Sequence, residues 1–257
     1  STRYSFADRN AYLADPDYFQ VPLRGLLSED FAATRRSLIT DRAATSPVAP
    51  GNPYPYNGGG QASATSTLAA TTTHLTVSDR VGNVVSYTYT IESTGGAGLV
   101  VPGFGFLLNN ELTDFNFDST THPNRAEGGK RPRSSMSPTI VLRDGRPFLA
   151  VGSPGGSMII TTVLQILLDR IDLGLTLPQA IADPRASQRN TSTTSAEPAF
   201  LSTPEAAALR ARGHVFSTTP EIGAATAIEF LGGGAVVAAA EPTRRGGGSA
   251  MVEVPAG

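Results

Sequence analysis

The sequence predicts an α+β sandwich, with strands paired into sheets and helices packed outside them. Two pairs of strand-like segments flank short turns, one apolar segment of helical length follows, and short strands separated by glycines close the chain. Paired strands followed by helices and then by further strands are typical of α+β folds. The length of 257 residues is sufficient for one large domain or two small ones.

Residues 1–42 are predicted to be helical. "ADRNAYLADPDYF" has a short apolar stripe that ends at Pro16, and "SEDFAATRRSLI" has Ser28 as a helix N-cap with acidic residues in the first turn. Residues 44–70 are rich in Pro, Gly, Ser and Ala with almost no charge, so they bury little apolar area and predict a flexible linker. A linker of this length inside a domain is often functional or processed.

The remainder of the chain alternates between strand and helix patterns. "HLTVSD" and "NVVSYTYTI" predict a hairpin around "DRVGN", and "PTIVL" and "PFLAVG" predict a second one that turns at Asp144-Gly145. "GSPGGS" (152–157) precedes the most apolar helix candidate, "MIITTVLQILLDRIDLG". "LPQAIADPR" and "PEAAALRARG" predict shorter helices, and "ATAIEF", "GAVVAAA" and "SAMVEV" predict the closing strands.

Composition excludes several classes of function. The net charge of −2 argues against a nucleic-acid partner, and the absence of cysteine excludes disulfides, thiolate metal sites and a Cys nucleophile. His74, His122 and His214 are far apart and lack metal-binding spacing, so we predict no metal and no cofactor. No apolar run reaches the ~18 residues of a membrane span. Because the chain starts at Ser1 rather than Met, we interpret it as a piece of a longer product.

Three threonines, Thr71, Thr72 and Thr73, lie directly after the predicted linker. Threonine is common in strands, so β propensity alone accounts for them. A threonine at a new chain end is also a strong nucleophile, because its α-amine, with a pKa of about 7.7–8.0, acts as the general base. Such a threonine is released only by cleavage of the preceding peptide bond. The residues alone leave both interpretations open.

Several motifs in the same order resemble the γ-glutamyltransferase (γ-glutamyltranspeptidase) family. They are "TTHLTVSDRVGNVVSYTYTI", "GFLLNNELTDF" and "KRPRSSMSPTIVLRDGRPFLAVGSPGGSMIITTVLQ", preceded by "FADRNAYLADPDYFQVPLRGLLS" and followed by "EPTRRGGGSA". The resemblance implies an N-terminal nucleophile hydrolase with a four-layer αββα sandwich that matures by self-cleavage. It divides the chain into the C-terminal helices of a large subunit (1–43), a linker ending at the cleavage site (44–71) and a small catalytic subunit (72–257).

The resemblance also assigns the catalytic residues. Thr72, the first residue of "TTH", matches the nucleophile, and the cleaved bond joins Thr71 to Thr72. Thr90 matches the threonine that supports the nucleophile, and antiparallel pairing of the predicted hairpin brings it beside Thr72. Gly155 and Gly156 match the backbone N–H donors of the oxyanion hole, where the lack of a Cβ leaves room for a tetrahedral centre.

The substrate-binding residues follow in the same way. Ser134 and Ser135 match the pair that holds the donor α-carboxylate, and Glu111 and Asp114 match acidic positions around the donor α-ammonium. Glu92 departs from the family, because many relatives have Asn there. A further carboxylate strengthens a cation site but repels other acids where no cation binds, so Glu92 leaves the identity of the substrate open.

The resemblance implies a γ-glutamyl hydrolase or transferase that acts on glutathione-like donors. Three alternatives remain open: an acylase for β-lactam side chains, a poly-γ-glutamate processing enzyme, and a catalytically silent homologue that serves as a binding module. The implied partner is the remainder of the large subunit, which carries the family's donor-binding arginine and lies outside this sequence. The implied location is the periplasm or the cell surface.

Overall fold

A computed structural model describes residues 1–57 and 72–253, which form two compact units. The first unit contains residues 1–57, 111–134 and 188–218, and the second contains residues 72–110, 135–187 and 219–253. Each unit therefore combines segments that are distant in sequence. No helix in the described ranges is long and apolar enough to cross a membrane.

The elements alternate between helix and strand as expected for an α+β chain. The helices are α1 (Thr2–Tyr12), α2 (Leu23–Leu26), α3 (Glu29–Arg36), α4 (Ile159–Ile171), α5 (Leu177–Ala182), α6 (Pro198–Leu201) and α7 (Pro204–Ala211). The strands are β1 (Thr72–Ser78), β2 (Val84–Thr90), β3 (Thr139–Arg143), β4 (Arg146–Gly152), β5 (Ala186–Ser187), β6 (Thr194–Ala196), β7 (Phe216–Thr218), β8 (Thr226–Gly232) and β9 (Ala235–Ala240). Short 3-10 helices occupy Tyr54–Tyr56, Glu111–Asp114, Gly156–Met158 and Arg244–Gly246.

The second unit has its hydrophobic core between helices and a sheet. Strands β3, β4, β8 and β9 form an antiparallel sheet in that order. Ile159, Val163 and Ile166 repeat along α4 at helical spacing and pack with α5 and with buried β4 residues such as Leu149 and Val151. This apolar layer fixes β4 and the glycine-rich loop that follows it.

The β1–β2 hairpin packs on the same sheet through polar groups. The Ser86 hydroxyl donates to the Val151 carbonyl oxygen at 3.2 Å, and Gly152 lies against the His74 ring, where a Cβ would come within 2.2 Å of it. Helices, a sheet and a second sheet are thus stacked in this unit. The predicted α+β class is confirmed, and the unit supplies three layers of the predicted αββα sandwich.

The first unit is built around α1. Tyr12 of α1 and Tyr54 pack edge to face with ring centroids 5.7 Å apart, and the Tyr12 hydroxyl donates to the Gly51 carbonyl oxygen at 2.6 Å. Asn190 holds Val48 through two hydrogen bonds, accepting from its N–H at 2.7 Å and donating to its carbonyl at 3.0 Å. Residues 44–57 are therefore folded against the unit, contrary to the prediction of a linker, because two contacts distant in sequence fix them. Residues 58–71 lie outside the described ranges.

Most predicted elements are present. Ser28 caps α3 by accepting from the Phe31 N–H at 3.2 Å, and both predicted hairpins form, the second turning through Asp144 and Gly145 at positive φ. The prediction of a last strand in "SAMVEV" is wrong for residues 249–253. The glycines before it return the chain to Glu241, whose carbonyl oxygen accepts from the Gly248 N–H at 2.7 Å. The parallel β6–β7 pair was not predicted, because three-residue strands show no periodicity.

Candidate active site

The β1–β2 hairpin brings the two predicted catalytic threonines together. Its antiparallel register places Thr72 opposite Thr90. The Thr72 hydroxyl donates to Thr90 Oγ1 at 3.2 Å, and the Thr72 side chain is buried. Thr73 points to the other face and is exposed, as the two-residue period of a strand requires. Thr72 is thus the residue of the pair that faces the polar interior.

Thr90 is held from its other side by the backbone after β2. The Glu92 N–H donates to Thr90 Oγ1 at 2.9 Å, and Glu92 has the left-handed backbone conformation (φ 71°). This conformation costs a non-glycine residue about 1 kcal/mol or more and is found most often at functional sites. The Glu92 carboxylate is buried and accepts from the Ser93 hydroxyl at 2.5 Å, and Asn110 donates to Ser93 Oγ at 3.1 Å.

His74 lies two residues after Thr72 in a pocket of hydroxyl groups. Its Nδ1 is hydrogen bonded to Thr88 Oγ1 at 2.7 Å, and its Nε2 to Thr76 Oγ1 at 3.1 Å. Burial lowers the pKa of His74 to about 4, so the ring is neutral at neutral pH. The described residues contain no group of three or more His, Cys, Asp or Glu side chains that would hold a metal ion. His74 is therefore a buried polar-pocket histidine.

The glycine-rich loop between β4 and α4 has the conformation that its glycines allow. Gly155 has φ 137° and Gly156 has φ 57°, both in the region that favours glycine. Ser153 secures the loop: its Oγ accepts from the Ala224 N–H at 3.0 Å and donates to the Pro154 carbonyl oxygen at 2.7 Å. The loop starts from Gly152, which contacts the His74 ring, and so leaves the sheet next to β1.

Arg245 contacts the candidate nucleophile directly. Its Nη1 donates to the Thr72 carbonyl oxygen at 3.3 Å, and its backbone N–H donates to the Glu221 carboxylate at 2.7 Å. The sequence assigned it no role, although it lies in the "EPTRRGGGSA" motif. Its neighbour Arg244 turns away and forms a buried ion pair with Glu241 at 2.8 Å.

Three predicted substrate-binding residues lie in the first unit. Glu111 and Asp114 are the ends of one 3-10 helix, as their spacing suggests. Burial lowers the pKa values of Arg9, to about 9, and of Arg133, and the Asp114 carboxylate offsets part of this lowering. Arg9 donates to the Ser134 carbonyl oxygen at 3.1 Å. Sequence analysis missed both arginines because only the fold brings residue 9 to this loop.

Two predicted positions remain. Ser135 belongs to the second unit, where its carbonyl oxygen accepts from the Ser137 hydroxyl at 3.3 Å. Thr71, the upstream side of the predicted cleavage site, lies outside the described residues. In the second unit, hydrogen bonds thus connect Thr72 to Thr90 and Arg245, and Thr90 to the Glu92 N–H, while the glycine-rich loop starts beside His74 of the same hairpin.

Comparison with known proteins connects this geometry to a family. The family model for gamma-glutamyltranspeptidase matches residues 1–251. The chain belongs to the gamma-glutamyltranspeptidase family. The glutathione hydrolase proenzyme of Bacillus subtilis (strain 168) is 42% identical over 222 residues, which cover 84% of this chain and 37% of that protein. The Acylase ACY 1 proenzyme of Pseudomonas sp. (strain SE83) is 37% identical over 234 residues, covering 89% of this chain and 38% of that protein.

Solved structures agree with the family at the level of the fold. The gamma-glutamyltranspeptidase from Pseudomonas nitroreducens complexed with L-DON superposes with a TM-score of 0.64 at 36% identity, covering 70% of this chain and all of that chain. This chain spans little more than a third of the length of these two curated relatives.

Proposed function

We propose that this chain carries the catalytic centre of a γ-glutamyl hydrolase or transferase for glutathione-like donors, matured by self-cleavage between Thr71 and Thr72. The observation that carries the proposal is the hydrogen bond between the Thr72 and Thr90 hydroxyls at the start of β1. A buried hydroxyl pair at a strand start supplies a nucleophile, and cleavage before Thr72 adds the α-amine that activates it.

In the proposed maturation, Thr72 Oγ1 attacks the Thr71 carbonyl carbon. The C–N bond breaks, the departing nitrogen takes the hydroxyl proton, and an ester joins the two residues. Water then hydrolyses the ester and leaves a carboxylate on Thr71 and a free hydroxyl and amine on Thr72. Thr90, anchored by the Glu92 N–H, orients the Thr72 hydroxyl during the attack.

In the proposed catalytic cycle, the same hydroxyl attacks the γ-glutamyl carbonyl of the donor. The Thr72 amine accepts the hydroxyl proton and delivers it to the leaving amine, so that an acyl-enzyme forms. The Gly155 and Gly156 N–H groups are assigned to the developing oxyanion, where such donors accelerate reactions by about 10²–10³-fold. Water completes hydrolysis, and an acceptor amine completes transfer.

Hydrolysis of a γ-glutamyl anilide by the full-length precursor tests the activity. We expect release of the aniline by the wild-type protein and none by Thr72→Ala, with the exposed neighbour Thr73→Ala as the matched control. A cleaved wild-type protein that no γ-glutamyl or acyl donor acylates at Thr72 would favour the silent homologue instead.

A second candidate, an acylase for side chains that lack an α-ammonium, is supported by the similarity to the Acylase ACY 1 proenzyme. The Glu92 carboxylate, buried two residues beyond Thr90, distinguishes the two candidates, because a carboxylate attracts an ammonium group and repels another carboxylate. If a donor ammonium faces it, Glu92→Asn raises KM for γ-glutamyl donors about tenfold and leaves glutaryl donors unaffected. A faster wild-type reaction on glutaryl donors, or on poly-γ-glutamate, would favour the acylase or the polymer-processing enzyme.

The remaining assignments rest on the family resemblance. The resemblance assigns Glu111, Asp114, Ser134 and Ser135 individually to recognition of the donor's amino-acid group, and each role is a proposal. The proposed segments of the chain are the end of the large subunit (1–43), the linker (44–71) and the small subunit (72–257), and the proposed partner is the rest of the large subunit.

The "proenzyme" names of the relatives support cleavage of a precursor. Location in the periplasm or at the cell surface is proposed from the family alone, and fractionation of cells that express the full precursor tests it.

A further inference from the structure

Arg245 is an unusual residue in the second unit, because its backbone is left-handed (φ 54°, ψ 31°) although it is not a glycine. The Glu221 carboxylate holds its N–H at 2.7 Å, and glycines with positive φ follow it at 246 and 247. The side chains of the adjacent residues Arg244 and Arg245 therefore point to different partners. Arg244 is buried against Glu241, whereas the Arg245 side chain extends to the Thr72 carbonyl oxygen.

The charge of Arg245 matters because of what Thr72 must do. A free α-amine has a pKa of about 7.7–8.0, so at neutral pH most of it is protonated and unable to accept a proton. The carbonyl that Arg245 contacts belongs to the same residue as that amine, so the guanidinium lies close to the amine nitrogen in space. A cation at this position disfavours a second positive charge.

The other titratable groups on the elements around Thr72 are either neutral or already hydrogen bonded to a neighbour. His74 on β1 is neutral, because burial lowers its pKa to about 4. On the neighbouring strands, Glu92 follows β2 and is bonded to Ser93, and Glu229 of β8 is bonded to Arg170 of α4. Glu221 is occupied by the Arg245 N–H. Arg245 is therefore the cation that contacts Thr72 within the described part of the unit.

We propose that Arg245 is a positioning residue that holds the Thr72 carbonyl and keeps the neighbouring α-amine neutral, so that the amine serves as general base. This inference rests on the proposed function, since the amine exists only after cleavage. The acidic limb of the pH profile of kcat/KM reports the base in the free enzyme. A guanidinium ~6 Å away shifts that limb downward by about half a unit to one unit at an effective dielectric constant of about 40 to 80, as for a pair that water screens.

Three variants of the full-length precursor test the inference: Arg245→Gln removes the charge, Arg245→Lys keeps it, and Arg146→Gln removes a charge from the exposed β3–β4 turn as a control. Cleavage is measured by intact mass, and kcat/KM for a γ-glutamyl anilide is measured between pH 5 and 10. We expect the acidic limb of Arg245→Gln to move to higher pH. At pH values below the limb its kcat/KM should be about three- to tenfold lower than that of the wild type, and at pH values above the limb it should change little. Arg245→Lys and Arg146→Gln should keep the wild-type limb.

The proposal is overturned if Arg245→Gln lowers kcat/KM equally at every pH, or if Arg245→Lys moves the limb as far as Arg245→Gln. Should Arg245→Gln remain uncut, we expect Arg245→Lys to be cut, and a lysine variant that is equally uncut contradicts the role of charge. Failure of the proposed function looks different, because the wild-type precursor itself would then be uncut or inactive.

Discussion

The β1–β2 hairpin of the second unit and the 122–134 segment of the first unit both contain predicted site residues, but different kinds of contact hold the two regions in place. The hairpin is regular, and hydroxyls and a neutral histidine pack it on its sheet. The 122–134 segment has no regular secondary structure, and charged groups fix it to residues more than a hundred positions away. Arg131 binds Asp15 through Nη2 at 2.7 Å and Nε at 3.0 Å, and Arg133 donates to the Asn10 carbonyl oxygen at 3.1 Å.

The difference follows from the chemistry assigned to each region. A nucleophile that exchanges protons needs neighbours whose own charge does not change, and the hairpin supplies neutral groups. A segment that is proposed to recognise a charged substrate needs a fixed backbone without the ladder of a sheet, and the bonds of Arg131 to the buried Asp15 and of Arg133 to the Asn10 carbonyl oxygen supply it. A substitution in the hairpin should therefore lower the rate of reaction, whereas a substitution that weakens the charged contacts should loosen the backbone of the 122–134 segment.

The largest effect is expected from the hairpin's first residue. Thr72→Ala removes the hydroxyl that both proposed reactions require, so the precursor should stay uncut and activity should fall by at least about 10⁴-fold. Intact mass and anilide hydrolysis measure the two effects. Thr73→Ala, on the exposed face of the same strand, should behave as wild type. A Thr72→Ala precursor that still splits at this bond would contradict the assignment.

The next effect concerns Thr90, which supports Thr72 at 3.2 Å. Thr90→Val keeps the shape and removes the hydroxyl, so cleavage and kcat should fall about 10–100-fold, with KM changing little. Thr90→Ser keeps the hydroxyl and should recover most of the rate. Equal losses in the valine and serine variants would contradict this role, because the serine variant retains the hydroxyl.

A smaller effect is expected in the 122–134 segment. Arg131 holds the pKa of the Asp15 carboxyl well below its usual range, and Asp15→Asn weakens this pair. Amide hydrogen exchange at Arg131, whose N–H bonds Asp15 at 2.8 Å, should accelerate by about tenfold. Asp17→Asn is the matched control, because Asp17 pairs with the same arginine but is exposed. Equal acceleration in both variants would assign the order of the segment to net charge rather than to the bond between Arg131 and the buried Asp15.

The smallest effect is the pH response of the hairpin. His74 has a folded pKa of about 4, below its ordinary value of 6.5, so the unfolded chain binds the proton first as pH falls. Its contribution to stability is complete above pH 6.5 and is lost toward pH 4. Between pH 7 and 5 we expect a loss of about 1 kcal/mol, after allowance for solvent screening. Urea unfolding of wild type and His74→Gln measures it, and identical pH slopes would contradict it.

The sequence predicted the hairpin well because the information is local. Strand alternation and the "DRVGN" turn fix the register, and the register alone places Thr90 opposite Thr72. The long apolar helix and the Asp144-Gly145 turn were accessible for the same reason. The glycine loop was found through its motif, and its positive φ angles explain why glycines stand there.

What the sequence could not predict depends on distant contacts. Composition indicated a linker at residues 44–57, but Asn190 and Tyr12 fold this stretch onto the first unit. The links from Arg9 to Ser134 and from Arg245 to Thr72 join residues 125 and 173 positions apart. The left-handed backbone of Glu92 was equally hidden, since nothing in "TYTIES" requires it.

N-terminal sequencing of the mature protein tests the central claim most directly. The full-length precursor is expressed and its chains are separated under denaturing conditions. The account predicts two chains, the smaller beginning Thr-Thr-His-Leu with a free α-amine on Thr72. A single uncut chain, or a smaller chain that begins at any other residue, would contradict it.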